Sequence, residues 1–325
     1  MFIIKPVSDI KSRVISNNLT EDSAEEYDPT KTYIKGDICK VTATGTVYEC
    51  VNSTPIISIT ENTTVPVVGL YPPSYLVSNT GTYPWAELRT INQLAAFDNY
   101  VNTQSVSDTG SDFIEYVISI GGCDSFALFN IVAKEVSLEI YGNQGNLISS
   151  EIRQTYEPVY TLDDYFFQDV SYKDRIIFTF GAGIGGSAKI TIRNTGGTAK
   201  CGMIILGRKI VIGSSKEEVE LPITDYSKYV VDSIGRVSLS KGLYANLCNF
   251  TLYIKENAYK LTFWEIVKIL IECRGQCTVW CVDNTDDLSK MNPGLIVCGY
   301  YADFSPVFRS HCGYSTIDFK ISGVV

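Results

Sequence analysis

The chain is poor in the residues on which most catalysis and long-range electrostatics depend. It has a single histidine, His311, in 325 residues, so multi-histidine metal sites and His-based nucleophilic triads have almost nothing to be built from. Only 19% of its residues are charged and the net charge is −9. With no clustered Lys and Arg there is no stripe to neutralise phosphates, and no nucleic-acid partner is expected. No stretch of 18 consecutive apolar residues occurs, which leaves nothing to cross a membrane as a helix, and no membrane partner is expected. The start, Met1-Phe2-Ile3-Ile4-Lys5-Pro6, lacks the basic and long apolar blocks of a signal peptide, so the chain is expected to be made and kept in a cytosol until a larger assembly leaves it. The redox motif Cys-x-x-Cys is also missing.

What is present favours strands. There are 21 Tyr and 14 Phe among many Val, Ile and Thr, and 45% of residues are hydrophobic, the composition of pleated, half-buried surfaces. At this length two or three domains are expected. Low charge with abundant apolar surface also suits a subunit covered by neighbours.

Ten cysteines need an account. Cys273, Cys277 and Cys281 recur every fourth residue, superficially like paired zinc ligands. However, Cys277-Thr278-Val279-Trp280-Cys281-Val282 reads as a buried strand with Cys277, Val279 and Cys281 on one face. Cysteine is there a small hydrophobe. In a cytosol, buried free thiols are favoured over a metal site or disulfides, and no cofactor or metal is expected. Gly181-Ala182-Gly183-Ile184-Gly185-Gly186 matches the dinucleotide fingerprint by letter, but a strand-like segment follows where a helix is required. Strand, loop and strand there read as a hairpin. His311 and Cys312 are adjacent, so their side chains diverge on an extended chain. Asp163-Asp164 and Asp286-Asp287 invite a glycosidase reading, but adjacent acids in turns are solvated loop residues, and no catalytic residues are assigned.

Tyr27, Tyr33, Gly36-Asp37, Tyr48-Glu49-Cys50 and Pro84-Trp85 stand in that order. Gly36 suits a left-handed turn residue, Asp37 can bond nearby backbone, and Thr46–Val51 alternates as a strand. The pattern resembles the small three-stranded chitin-binding modules of bacterial chitinases, which recur near the ends of phage tail proteins. The resemblance implies a glycan platform at Tyr33, Tyr48 and Trp85. This chain departs from the pattern: Tyr27 stands where the family has Trp, and Asn52-Ser53-Thr54 where a second Trp is usual. Rings gathered into a mini-core, in a spacer or docking module, are therefore expected instead.

Further motifs follow: Pro84-Trp85-Ala86-Glu87-Leu88, Asn92 with Phe97-Asp98, Cys201-Gly202 with Leu206-Gly207, Asp225-Tyr226-Ser227, Asp232 with Gly235, and Arg274-Gly275 with Trp280. In this order they resemble a family of tailed-phage virion proteins. The resemblance implies a non-enzymatic tail or neck adaptor in the virion, assembled in host cytoplasm beside copies of itself and other tail or fibre proteins. The alternative is a carbohydrate-binding adhesin that meets a host glycan.

The expected fold is mainly β. Residues 1–26 form an extended arm, ordered only against a partner. Residues 27–88 form the three-stranded module, 89–207 a β-sandwich-like domain, and 208–325 a second one. One helix is expected over Ala86–Thr103, where Leu88, Ile91, Leu94 and Ala95 share a face. Another is expected over Phe263–Cys273, opened by a Thr262/Glu265 capping box and stopped at Arg274-Gly275.

Overall fold

A computed structural model of the chain describes all residues except 29–30, 32, 52–84, 157–165, 167–171, 182–185, 232–233, 256–260, 284, 286–287, 289–290, 310–312 and 325. The fold is mainly β. A large antiparallel sheet runs Arg175–Thr179, Ser125–Val132, Lys200–Val211, Phe2–Pro6, Thr278–Cys281, Ile296–Val307, Tyr314–Gly323, Tyr244–Lys255 and Ser214–Glu220. A five-stranded sheet orders Leu147–Gln154, Glu135–Tyr141, Ser187–Arg193, Phe113–Ser119 and Val14–Asn17. Alternation decides this second sheet: Phe113–Ser119 and Glu135–Tyr141 bury every second side chain, so one face must be covered. It packs on the Arg175–Thr179 side of the large sheet, and Tyr116, Phe126, Leu138, Phe178, Ile190 and Leu206 share the sandwich core.

The other half of the large sheet is covered by helix α1, Phe263–Glu272, rather than by a second sheet. Its capping box forms as expected, with Thr262 N donating to Glu265 Oε2 at 2.7 Å and Glu265 N to Thr262 Oγ1 at 3.4 Å, and Gly275 takes φ +72° after the helix. Phe263, Ile266, Val267 and Leu270 are buried against Phe250, Trp280 and Phe319. Ile271, in the helix's last turn, is exposed.

The segment 1–26 is not a free arm. Phe2–Pro6 is a central strand, pairing with Lys200–Val211 on one side and Thr278–Cys281 on the other. Ile3 joins the core beneath α1, whereas Phe2 and Ile4 join a third core with Phe129, Met203 and Val279. Three buried apolar residues in a row are what a strand covered on both faces needs. Val14–Asn17 then edges the five-stranded sheet, Leu19 enters the sandwich core, and Glu25–Glu26 pairs with the module. The polar composition between Ser8 and Glu26 hides these anchor points.

Two further expectations are corrected. The position 207/208 does not separate two bodies, because the strand Lys200–Val211 runs straight through it. The helix expected over Ala86–Thr103 is absent: Trp85–Thr90 pairs with Thr46–Cys50 as a strand, and only a 3₁₀ turn, Ala95–Phe97, follows. Pairing with an available edge overrides a weak helical period. The module is thereby completed as three antiparallel strands, Ile38–Val41, Thr46–Cys50 and Trp85–Thr90, with Glu25–Glu26 added in parallel.

Because Ile3 is fully buried opposite Trp280 and Ile210, Ile3→Ala is expected to cost about 2–5 kcal/mol. Denaturant unfolding followed by Trp fluorescence checks this. A loss under about 1 kcal/mol would show that the strand is a dispensable edge.

Candidate functional site

The candidate module is assembled around a tight turn. Gly36 takes φ +94°, Asp37 N donates to Ile34 O at 3.0 Å, and the Asp37 carboxylate reaches back to Ile34 N at 2.8 Å. The turn delivers Tyr33 into the module's interior beside Cys39, Tyr48, Cys50 and Trp85, the buried cluster of this sheet.

The three candidate residues come together, but not as an open platform. Tyr33, Tyr48 and Trp85 are 3%, 5% and 4% exposed. Tyr27 stacks on Tyr33 with ring centroids 5.6 Å apart. Trp85 meets Tyr33 edge-on at 5.0 Å and Tyr27 edge-on at 5.9 Å. The Lys31 ammonium lies over the Tyr33 ring at 5.8 Å and is ion-paired with Glu25. Tyr33 Oη accepts from Asp28 N at 2.8 Å and lies 3.2 Å from Asp28 O as a donor. A sugar ring needs a free aromatic face with polar groups beside it, and these faces are taken by one another. Trp85 Nε1 is buried without an acceptor among the described residues.

Three of the cluster's titratable groups are favoured in their neutral forms. Burial raises the Tyr27 and Tyr33 phenols above their ordinary value. It pushes the Cys39 thiol up to about 11, with Cys50 adding to the shift. Thiols of this kind are poor nucleophiles at neutral pH.

The module is also tied to the body. Arg89 Nη2 donates to Asp22 Oδ1 at 3.1 Å, and Nη1 pairs with the other carboxylate oxygen; this hydrogen bonding is what lowers the Asp22 carboxyl. Lys40 Nζ pairs with Glu21 at 2.9 Å. Asp98, nearly buried, accepts from Thr103 Oγ1 at 2.6 Å, Tyr100 N at 2.9 Å and Thr90 Oγ1 at 3.1 Å. Burial raises its carboxyl against these bonds. It joins the module's last strand to the following loop. A cleft of about 250 Å³ opens beside it, where Phe2–Pro6 ends, and is lined by Ile10, Met203, Gln276 and Tyr300 among others. The carboxylate there is held by three donors from Thr90, Tyr100 and Thr103.

Other candidates resolve differently. Arg175–Thr179 and Ser187–Arg193 lie in different sheets, so they do not pair as a hairpin, and a strand rather than a helix begins at Ser187; residues 182–185 lie outside the described residues. Gly186 is required there, since a Cβ would lie 2.2 Å from Tyr141 O. Among the described residues, no group of three or more His, Cys, Asp or Glu is placed to hold a metal ion, and no helix is long and apolar enough to cross a membrane. Seven cysteines, Cys39, Cys50, Cys123, Cys201, Cys248, Cys273 and Cys281, are buried and outside any disulfide. Cys277 and Cys298, expected to be thiols, are instead paired as a disulfide with Cα atoms 6.2 Å apart. The antiparallel ladder of Thr278–Cys281 with Ile296–Val307 brings them within bridging distance. Asp163-Asp164, Asp286-Asp287, His311, Cys312 and the segment 55–84 lie outside the described residues.

The sequence reading missed one surface. Lys228–Val231 and Val237–Ser240 form a separate two-stranded hairpin with every residue exposed. The signal was available in Tyr229-Val230-Val231, a β-branched run closed by Gly235, which takes φ +83°.

Trp85→Ala is expected to cost about 3–5 kcal/mol by emptying the centre of the cluster, measured as a loss of module ellipticity in denaturant. A variant that keeps wild-type stability contradicts the packing role. The raised thiol and phenols also predict alkaline sensitivity. The fold favours their neutral forms, so their contribution is complete below the unfolded value and is lost as pH rises toward the folded one. The module is expected to lose stability between about pH 9 and pH 11, the span of the Cys39 shift. Near-UV circular dichroism that stays flat through this window is the opposing result.

Compared with known proteins, the chain matches no family model, no curated protein and no solved structure, so its function has to be read from its own residues.

Proposed function

We propose that this chain is a non-enzymatic structural component of a phage virion, a tail or neck adaptor that links the tail to fibres or other tail proteins. The observation that carries the reading is the role of several described motif residues that resemble the virion family: they shape the chain. Asn92 donates from Nδ2 to Val106 O and accepts at Oδ1 from Val106 N, both at 2.8 Å. Phe97 packs edge-on against Tyr116 at 4.8 Å, and Asp98 joins module to body. Gly202 and Gly207 admit neighbouring backbone, since a Cβ would lie 2.1 Å from Val101 O at the first and 2.3 Å from Lys5 O at the second. Asp225 closes a turn by accepting from Ser227 N at 2.9 Å and Ser227 Oγ at 2.6 Å. Trp280 is fully buried and donates to Gly299 O at 3.2 Å. Residues that serve turns, close approaches and cores specify a shape, which is what an assembly component supplies.

The closed aromatic cluster supports the same reading over the adhesin alternative. A module whose rings stack on one another and whose rim is pinned to the body by Arg89, Lys40 and Asp98 is a rigid spacer. Low charge and large exposed apolar residues suit repeated contact with other subunits.

Mass spectrometry of gradient-purified particles from cells producing the phage that encodes this chain tests the proposal. The chain is expected in mature particles at a fixed copy number related to tail symmetry. Its absence from particles, or glycan-array binding that disappears in Trp85→Ala while the fold survives, overturns the proposal.

A further inference from the structure

We infer that the Cys277–Cys298 disulfide is a redox-operated lock on the narrowest joint of the large sheet, opened by small dithiols that enter the cleft where Phe2–Pro6 ends. The inference does not rest on the virion reading. The strand Thr278–Cys281 is four residues long and lies between Phe2–Pro6 and Ile296–Val307. On one side Phe2, Ile3 and Ile4 pair with Cys281, Trp280 and Val279. On the other the ladder runs only from Thr278 opposite Gly299 to Cys281 opposite Ile296. Elsewhere the ladders are longer: Tyr244–Lys255 pairs with Tyr314–Gly323 continuously from Leu247 to Lys255. A few ladder bonds thus hold the sandwich half of the sheet to the half beneath α1. The disulfide stands at the entry to this short strand and joins residues 21 positions apart, which restricts the chain in any opened state.

One sulfur of the pair has a way in from outside. Cys277 is half-buried and lines the cleft of about 250 Å³ together with Gln276 and Tyr300, whereas Cys298 is 5% exposed. A thiolate in the cleft therefore attacks Cys277 Sγ. The S–S bond breaks, Cys298 leaves as a thiolate and takes up a proton, and a mixed disulfide remains on Cys277. The second thiol of the reagent then attacks the mixed disulfide, releasing Cys277 and closing the reagent's own disulfide. Two electrons have passed from the dithiol to the pair, and a disulfide oxidant reverses both steps.

Neighbouring thiols do not divert the exchange. Cys281 shares the core of the pair, but its Sγ rests 3.5 Å from Met291 Sδ and burial pushes its thiol up to about 12. Burial does the same to Cys201 and Cys248. Such groups hold little thiolate at neutral pH, which leaves the cleft-side sulfur of the disulfide as the point of entry.

The test follows the full chain, purified in air, by peptide mass spectrometry and hydrogen exchange. Cys277 is expected to be linked to Cys298, and millimolar dithiothreitol without denaturant to open that link. Brief alkylation after reduction is expected to label Cys277 at least about tenfold faster than Cys298, following their difference in access. In the reduced protein, amide exchange is expected to rise at least about tenfold at Phe2–Ile4 and Thr278–Cys281 and to change less at Phe113–Ser119. Glutathione disulfide is expected to restore the original pattern. Cys298→Ser is expected to exchange at the joint as reduced wild type does and to ignore the dithiol; the wild-type measurements decide the matter if that variant does not fold. A chain that carries both residues as thiols in air overturns the inference. So does a bond that dithiothreitol opens only in denaturant, faster labelling of Cys298, or an exchange response that is absent from the joint or equal at Phe113–Ser119.

Discussion

Everything in this molecule hangs on the insertion of Phe2–Pro6 between Lys200–Val211 and Thr278–Cys281. Without that strand the large sheet would be two sheets, one half closing a sandwich and the other backing onto a helix. With it, three cores are placed in register: Ile3 enters the core beneath α1, while Phe2 and Ile4 enter the core on the opposite face. Burying a side chain such as Ile is worth about 1.5–3 kcal/mol, and here each residue has ladder partners on both sides as well. The close approach at Gly207, where a Cβ would lie 2.3 Å from Lys5 O, shows how little room the insertion leaves.

The module depends on the same segment. After Phe2–Pro6 the chain edges the five-stranded sheet, buries Leu19, and presents Glu21 and Asp22 to Lys40 and Arg89 before Glu25–Glu26 pairs with Ile38–Val41. One strap thus touches the large sheet, the five-stranded sheet and the module in turn. The aromatic cluster then has a mechanical role. Tyr27 arrives at the end of the strap and stacks on Tyr33, so the interior of the module and its tether are parts of one contact.

What could be read from sequence was local. The capping box at Thr262, the left-handed turn at Gly36 and the alternation of Phe113–Ser119 are each settled within a few residues, and each was legible. The clustering of Tyr33, Tyr48 and Trp85 was expected from the resemblance to chitin-binding modules and from this chain's departures from their pattern. The failures were all non-local. Leu88, Ile91 and Leu94 imitate a helical face, but the partner edge Thr46–Cys50 claims Trp85–Thr90 as a strand. Cys277 and Cys298 become neighbours only once two strands align. The glycine-rich link looked like a hairpin because its flanking strands are close in sequence, while their sheets are layers apart. Phe2-Ile3-Ile4 carried a correct signal for a doubly buried strand, but its partners lie too far along the chain for any pattern to announce them.

That separation has a consequence for how the molecule comes into being. Ile3 pairs with Ile210 and Trp280, so its partners leave the ribosome long after it does. Contacts of such high sequence separation must pay loop-closure entropy before they return any stabilisation, and they fold slowly. Until they form, an apolar strand with two open edges waits for its partners, the kind of exposure that invites misassembly. A chain interrupted before Thr278 would keep one edge of that strand unpaired. The topology thus acts as a checkpoint in synthesis: the central strand gains its second neighbour only once the chain through Thr278–Cys281 has been made.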